Sequence, residues 1–262
     1  MRIVTWNINS IRIRVDMIRE FVEKHNPDIL CLQETKVEDD SFPHKEMQQM
    51  GFGYRVVRGE KSYNGVAILS KIPITEADRL VFVNEQSRHK TVVTESGIEI
   101  HNFYVPAGGD IPCPDTNPKF KHKLDYVDHA AEWFRRYRSK EDKIILLGDL
   151  NIAPGKKDVW SHRQLLDIVS HTYMEKFHFH KLMKSLEFSD IVREQSEIED
   201  KIFSWWSYRN KDWKKSNKGR RLDHILASPG IRNQCKKHKI YTEFRDYKRP
   251  SDHAPVLLEM SL

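Results

Sequence analysis

The sequence predicts an α/β fold in which two packed β-sheets are flanked by helices, and three observations lead there. Short apolar runs bounded by turn residues recur along the chain, several without polar interruption, which is the pattern of strands buried on both faces. Segments with helical spacing lie between only some of these runs, so the strict alternation of a doubly wound parallel sheet is absent. The 262 residues contain neither a repeat of fixed short period nor a Pro-, Gly- or Ser-rich linker, so one domain over 1–262 is expected.

Taken in order, Arg2 to Ile8 reads as the first strand. A helix from Arg14 to His25 comes next, with Val15, Ile18 and Val22 on one face. Further strands are predicted at Asp28 to Gln33, Gly65 to Ser70 and Ile98 to Val105. Phe120, Leu124, Val127, Ala131 and Phe134 line a longer helix, after which Lys143 to Gly148 is again strand. A third helix is expected over Met174 to Leu186, with Phe177, Leu182 and Leu186 facing inward. Leu222 to Ser228 and Val256 to Met260 complete the strands.

The start MRIVTWNI passes straight into an apolar strand and lacks the features of a signal peptide, and no apolar run approaches membrane-spanning length. Cys31, Cys113 and Cys235 are odd in number, far apart and in no CxxC pair, which argues against a disulfide framework and a zinc site. A cytoplasmic location is therefore expected. Net charge is +6, and the segment RNKDWKKSNKGRR at 209–221 carries all of the excess. That run fits a solvated loop. With Trp205, Trp206, Tyr208 and Trp213 interleaved, it equally fits a groove that contacts phosphates beside stacking faces.

The most informative pattern lies in the polar residues at the ends of the apolar strands. Asn7, then Gln33 and Glu34, then Asp149 and Asn151 each come directly after one; Asp223 opens another, and Asp252 and His253 precede the last. If the strands converge, these residues form a pocket of hard oxygen donors with a histidine. Magnesium prefers such donors, a carboxylate free of the metal takes a proton from water, and an imidazolium holds a phosphate oxygen. Phosphodiester hydrolysis needs these parts. Asp149, between Gly148 and Pro154, also fits ordinary turn chemistry, and His253 beside Asp252 fits a structural pair. Glu34 and Asp223 sit against apolar residues and need a partner or a metal. His171, His178 and His180 are expected on a helix surface.

Eight blocks carry a family resemblance: TWNINSIR (5–12), PDILCLQETK (27–36), GVAILSK (65–71), NFYVPAGG (102–109), LLGDLNIAP (146–154), FSWWSYR (203–209), RRLDHILAS (220–228) and PSDHAPVLL (250–258). In this order they resemble the exonuclease III family of DNA-repair nucleases, which includes bacterial AP endonucleases and belongs to the endonuclease/exonuclease/phosphatase superfamily. The resemblance implies a DNase I-like four-layer α/β sandwich of two mixed sheets between helices. By matching position it implies a metal site at Asn7, Glu34, Asp149, Asn151 and Asp252, with Glu34 the main ligand. Asp149 looks like the residue that activates water, Asn151 like the amide that holds the phosphate, and Asp223 like the partner that orients His253. Tyr104 matches a tyrosine near the phosphate or leaving group. Trp205 and Leu222 match the wall of a pocket for an extruded abasic sugar, and Arg88 a segment reaching the DNA backbone. Lys119, Lys121 and Lys123 add a basic start to the long helix.

The resemblance further implies a monomeric enzyme that uses Mg2+, with Mn2+ as a substitute, on double-stranded DNA at abasic sites and 3′ ends, and no membrane partner. Two departures stand out: Ala107 and Gly108 replace an amide-bearing residue common in relatives, and Arg220 stands where some relatives carry an apolar or aromatic side chain. Two other readings are a superfamily phosphodiesterase acting on a non-DNA phosphate ester and a non-catalytic DNA-binding module on a decayed scaffold.

Overall fold

Period-two alternation along the strands separates the apolar side chains into layers. Along the first strand, Ile3 joins one buried cluster while Val4 and Trp6 join another on the opposite face. The computed structural model of the chain describes residues 1–77 and 86–261. One sheet runs, edge to edge, through Cys235–Ile240, Val256–Met260, Arg2–Asn7, Ile29–Gln33, Val66–Ser70 and Tyr54–Arg58. The other runs through Ile74–Glu76, His89–Thr94, Glu99–Tyr104, Ile144–Asp149, Asp223–Ala227 and Ser189–Asp190. Each sheet has one parallel pair, Arg2–Asn7 with Ile29–Gln33 and Glu99–Tyr104 with Ile144–Asp149, and is otherwise antiparallel.

Three apolar layers hold the stack together. Ile3, Ile29, Cys31 and Ile68 of the first sheet meet Val92, Ile100, Ile145, Leu147 and Ile225 of the second. The outer face of the first sheet is covered by the helix Val15–His25 through Met17, Ile18, Phe21 and Val22. Helices Pro118–Tyr137 and Tyr173–Ser185 cover the outer face of the second. The architecture is the four-layer sandwich that the resemblance implies.

Three expectations need correction. Phe177 is 52% exposed, because the inward stripe of its helix is Glu175, Phe179 and Leu182, and Phe177 points away from it. His171 is buried ahead of that helix, where its Nδ1 pairs with the Ala153 carbonyl at 2.6 Å; the helix starts only after the capping box of Thr172 and Glu175. Lys123 is fully buried, ion-paired with Glu175 and donating to the Asn151 carbonyl at 2.7 Å, so it fastens the helix to the catalytic loop and offers no surface charge.

The basic segment divides in the same way. Trp205–Trp206 pairs with Gly219–Arg220, and Arg209, Lys211, Lys214, Lys215 and Lys218 are exposed in the arm between them. Arg221 is buried and forks between two acids, donating to Asp158 at 2.8 and 2.9 Å and to Asp190 at 2.9 and 2.7 Å. Burial opposes the charge on Asp158, but Arg221 and Arg193 outweigh it and lower this carboxyl from its ordinary 3.8 to about 2. Asp190 is held far below its usual range in the same way. The contribution is complete above the ordinary carboxylate range and is lost as the pH falls toward 2. Replacing Arg221 by Met removes the shared partner of Asp158 and Asp190, leaving Arg193 as the cation on the buried Asp158. Urea denaturation at pH 7 should show a loss of ~3–5 kcal/mol that narrows in acid as the two carboxyls take up protons; an unchanged midpoint would contradict the pairing.

Candidate active site

The topology delivers the polar residues to one end of both sheets. Asn7 ends Arg2–Asn7, and Glu34 comes just after its parallel neighbour Ile29–Gln33. Tyr104 and Asp149 end the parallel pair of the second sheet in direct register. Asp223 begins the antiparallel strand opposite Asp149, and His253 precedes the strand that pairs antiparallel with Arg2–Asn7.

Local backbone geometry makes the approach close. Gly148 has φ +136°, and a Cβ there would lie 2.0 Å from the Phe103 carbonyl oxygen, so only glycine lets Asp149 leave the strand at this angle. Glu34 takes the left-handed conformation, φ 52°, which is uncommon for a non-glycine residue. Its turn is clamped by backbone bonds from Ser10 N to Glu34 O at 2.7 Å and from Thr35 N to Gly65 O at 3.1 Å.

Hydrogen bonds then join the side chains. Asn7 Nδ2 donates to Glu34 Oε1 and to Asp149 Oδ2, both at 2.9 Å. The Tyr104 hydroxyl donates to Glu34 Oε1 at 2.8 Å, and Lys36 Nζ pairs with Glu34 Oε2 at 2.7 Å. Asn151 donates from its backbone to Asp149 Oδ1 at 2.9 Å, while its side-chain amide bonds the Val105 carbonyl and Asp149 Oδ2. His253 Nδ1 meets Asp223 Oδ2 at 2.8 Å, and its Nε2 stands 3.6 Å from Asp149 Oδ2. Ser204 Oγ donates to the same Asp223 oxygen at 2.6 Å.

Burial and charge set the protonation states. Burial opposes the imidazolium of His253, yet Asp223 and Asp149 outweigh it and raise its pKa to about 10. Burial pushes Asp149 up to about 7, partly offset by His253. Burial, then Glu34 and Asp149, keep the Tyr104 hydroxyl protonated well above its ordinary range. For Glu34, burial is outweighed by Lys36 and by the Asn7 amide, so it stays ionised.

These residues open into a cavity of ≈ 560 Å³ that is also lined by Trp160, Val169, Trp205, Arg220 and Leu222. Asp252 has both oxygens engaged, accepting from Asn9 Nδ2 and from Trp205 Nε1 at 2.9 Å each, so here it anchors the pocket wall. Arg88 is 4% exposed, with its guanidinium 4.7 Å from the Tyr104 ring centre. It packs on the Tyr104 ring and is almost wholly buried. Lys119 is exposed beside Gly109 at the cavity rim, and Lys121 pairs on the surface with Asp125. Sequence reasoning missed Lys36, Asn9 and Ser204; Lys36 lies within the LQETK block, two residues beyond Glu34.

Residues 4–253 match the model of the Endonuclease/Exonuclease/phosphatase family. The chain belongs to that family. Exodeoxyribonuclease III of Haemophilus influenzae is 28% identical over 270 residues, covering 99% of each chain. The structure of an AP endonuclease from Archaeoglobus fulgidus superposes over 100% of both chains with TM-score 0.92 and 29% identity. That of the 3′ phosphatase NExo from Neisseria, bound to product DNA hairpin, does so with TM-score 0.89 and 31% identity. The expected resemblance to exonuclease III and the DNase I-like fold are both borne out. The chain is a phosphodiester-hydrolysing DNA-repair nuclease of the exodeoxyribonuclease III type. Metal dependence is typical of the family, and Asp149, Asp223 and His253 form a buried cluster with ligand atoms within 4.8 Å of one another. No helix among the described residues is long and apolar enough to cross a membrane.

Proposed function

We propose that the chain is a monomeric, cytoplasmic, magnesium-dependent nuclease that incises duplex DNA at abasic sites and trims its 3′ ends. The observation that carries this reading is Asp149 Oδ2, held by Asn7 at 2.9 Å and faced by His253 Nε2 at 3.6 Å, lining a cavity whose walls are aromatic and cationic. The donor set fits the metal. Glu34 and Asp149 offer hard oxygens joined by the Asn7 amide N–H, and Lys36 rests on Glu34 Oε2, a carboxylate oxygen that attracts cations. Glu34 is its principal protein ligand, with Asn7 beside it and Mn2+ as the substitute. A magnesium ion held there would supply charge neutralisation to the phosphoryl group and its leaving oxygen.

The remaining chemistry belongs to the chain. Asp149 takes the proton from attacking water, and its carboxylate is aimed by the Asn7 amide and the Asn151 backbone. The Asp223 bond at Nδ1 fixes the imidazolium, so that the Nε2 proton of His253 points to a phosphate oxygen near Asp149. Both side-chain donors of Asn151 are engaged, so it positions Asp149 and leaves its Oδ1 to accept. Tyr104 donates a proton it does not lose, steadying Glu34 and approaching the leaving oxygen. Trp205 and Leu222 form the wall against which the nucleotide beyond the scissile bond rests. Lys119 and the exposed lysines of the basic arm hold the backbone without reading sequence.

The test sets a duplex with one abasic site beside an undamaged recessed 3′ end, each with magnesium and with EDTA. Wild type should cut both with magnesium and neither with EDTA. Cleavage of a soluble phosphate ester alone would defeat the DNA assignment. Asp149→Asn should keep DNA binding by gel shift and lose turnover by roughly 10²-fold or more; full activity would remove Asp149 from the mechanism. Glu34→Ala should move the magnesium titration to higher concentration as well as slow the reaction, and an unmoved titration would contradict its role as ligand.

A further inference from the structure

The cavity wall contains a cation that the mechanism does not use. Arg220, half-buried on the short strand Gly219–Arg220, lies with its guanidinium 5.4 Å from the Trp205 ring centre. Nη1 donates to the Val169 carbonyl at 2.9 Å and to Ser170 Oγ at 2.7 Å, which ties the side chain across the cavity to the loop ahead of Tyr173–Ser185. The Trp205 ring is itself fixed by its bond to Asp252. Nε and Nη2 of Arg220 make no hydrogen bond among the described residues. A planar cation is thus held in place with one face on an indole and unused N–H groups in a cavity that opens on Asp149.

We infer that Arg220 makes this cavity a pocket for a nucleotide that retains its base, the edge of the base lying in the guanidinium plane and accepting hydrogen bonds from its free N–H groups. This rests on the DNA-nuclease reading above. A bare deoxyribose pressed against Arg220 displaces water from those N–H groups and returns few acceptors. A nucleobase returns carbonyl and ring-nitrogen acceptors along one edge, which the N–H groups of a rigid, weakly hydrated guanidinium plane can meet. The anchors at Val169 and Ser170 keep the plane in position before substrate arrives, so little ordering is left to binding. The consequence is specificity: relative to an apolar wall, Arg220 favours the base-bearing 3′-terminal nucleotide over the abasic sugar.

The experiment compares kcat/KM for a recessed undamaged 3′ end and for a single abasic site, using the full chain with magnesium. In Arg220→Leu the ratio of the first to the second should fall at least about tenfold, chiefly through KM for the 3′ end. Arg220→Lys restores the charge without the plane and should recover less than half of that loss. A ratio that stays within about twofold of wild type in Arg220→Leu, with the melting temperature retained, overturns the inference. Complete recovery by Arg220→Lys also overturns it, since charge alone would then suffice. If Arg220→Leu does not fold, Ser170→Ala removes one anchor and keeps the guanidinium. The same ratio should then fall by a smaller factor, and an unmoved ratio overturns the inference. A wild type that cuts neither DNA substrate defeats the nuclease reading instead.

Discussion

His253 stands between two buried carboxylates, and its charge is what allows both to be there. Asp149 and Asp223 are each 1% exposed and face each other across the register of adjacent antiparallel strands. Two such acids side by side repel, and burial alone drives one of them neutral. The imidazolium comes from the other sheet, just ahead of Val256–Met260, and meets both, so one cation joins the catalytic ends of the two sheets. Its own backbone is tied down, since the Trp6 indole donates to the His253 carbonyl at 3.1 Å and Ser251 Oγ donates to the Asn7 carbonyl at 2.6 Å. The interaction that stabilises the charge cluster also fixes the orientation of Asp149 and of the His253 ring.

A second chain of contacts links this centre to the basic arm. Lys36 bridges Glu34 and Asn9, Asn9 donates to Asp252, and Asp252 holds the Trp205 indole. Arg14 ties the Asn9 loop to the Pro250 carbonyl and to the Tyr208 hydroxyl. Apart from Lys36–Glu34 and Arg14–Asn9, each link joins segments far apart in sequence. The pocket wall is therefore positioned by the same residues that surround Glu34.

Much of this was legible in the sequence because strands announce themselves by composition and their ends by the polar residue at the boundary. Asn7, Glu34, Asp149, Asp223 and His253 each stand at such a boundary, and the structure gathers all five at one end of the sandwich. The half-polar edge strands Tyr54–Arg58 and Cys235–Ile240 went unread, since their exposed positions dilute the apolar signal. Long cations misled for a different reason. Lys123, Arg88 and Arg221 read as surface charge, yet Glu175, Tyr104 and the pair Asp158 and Asp190 bury them, and nothing in their own segments names those partners. A buried ion pair is a property of two distant segments, and local pattern cannot supply the second one.

The measurement that bears most directly on the account is the protonation state of His253, read by 15N NMR of its imidazole nitrogens in the metal-free protein from pH 5 upward. With Asp223 and Asp149 on either side, both nitrogens should carry protons at pH 7 and the ring should titrate near pH 10. A neutral ring at pH 7, with a single protonated nitrogen, would contradict the central claim that an imidazolium from one sheet holds together the two carboxylates of the other.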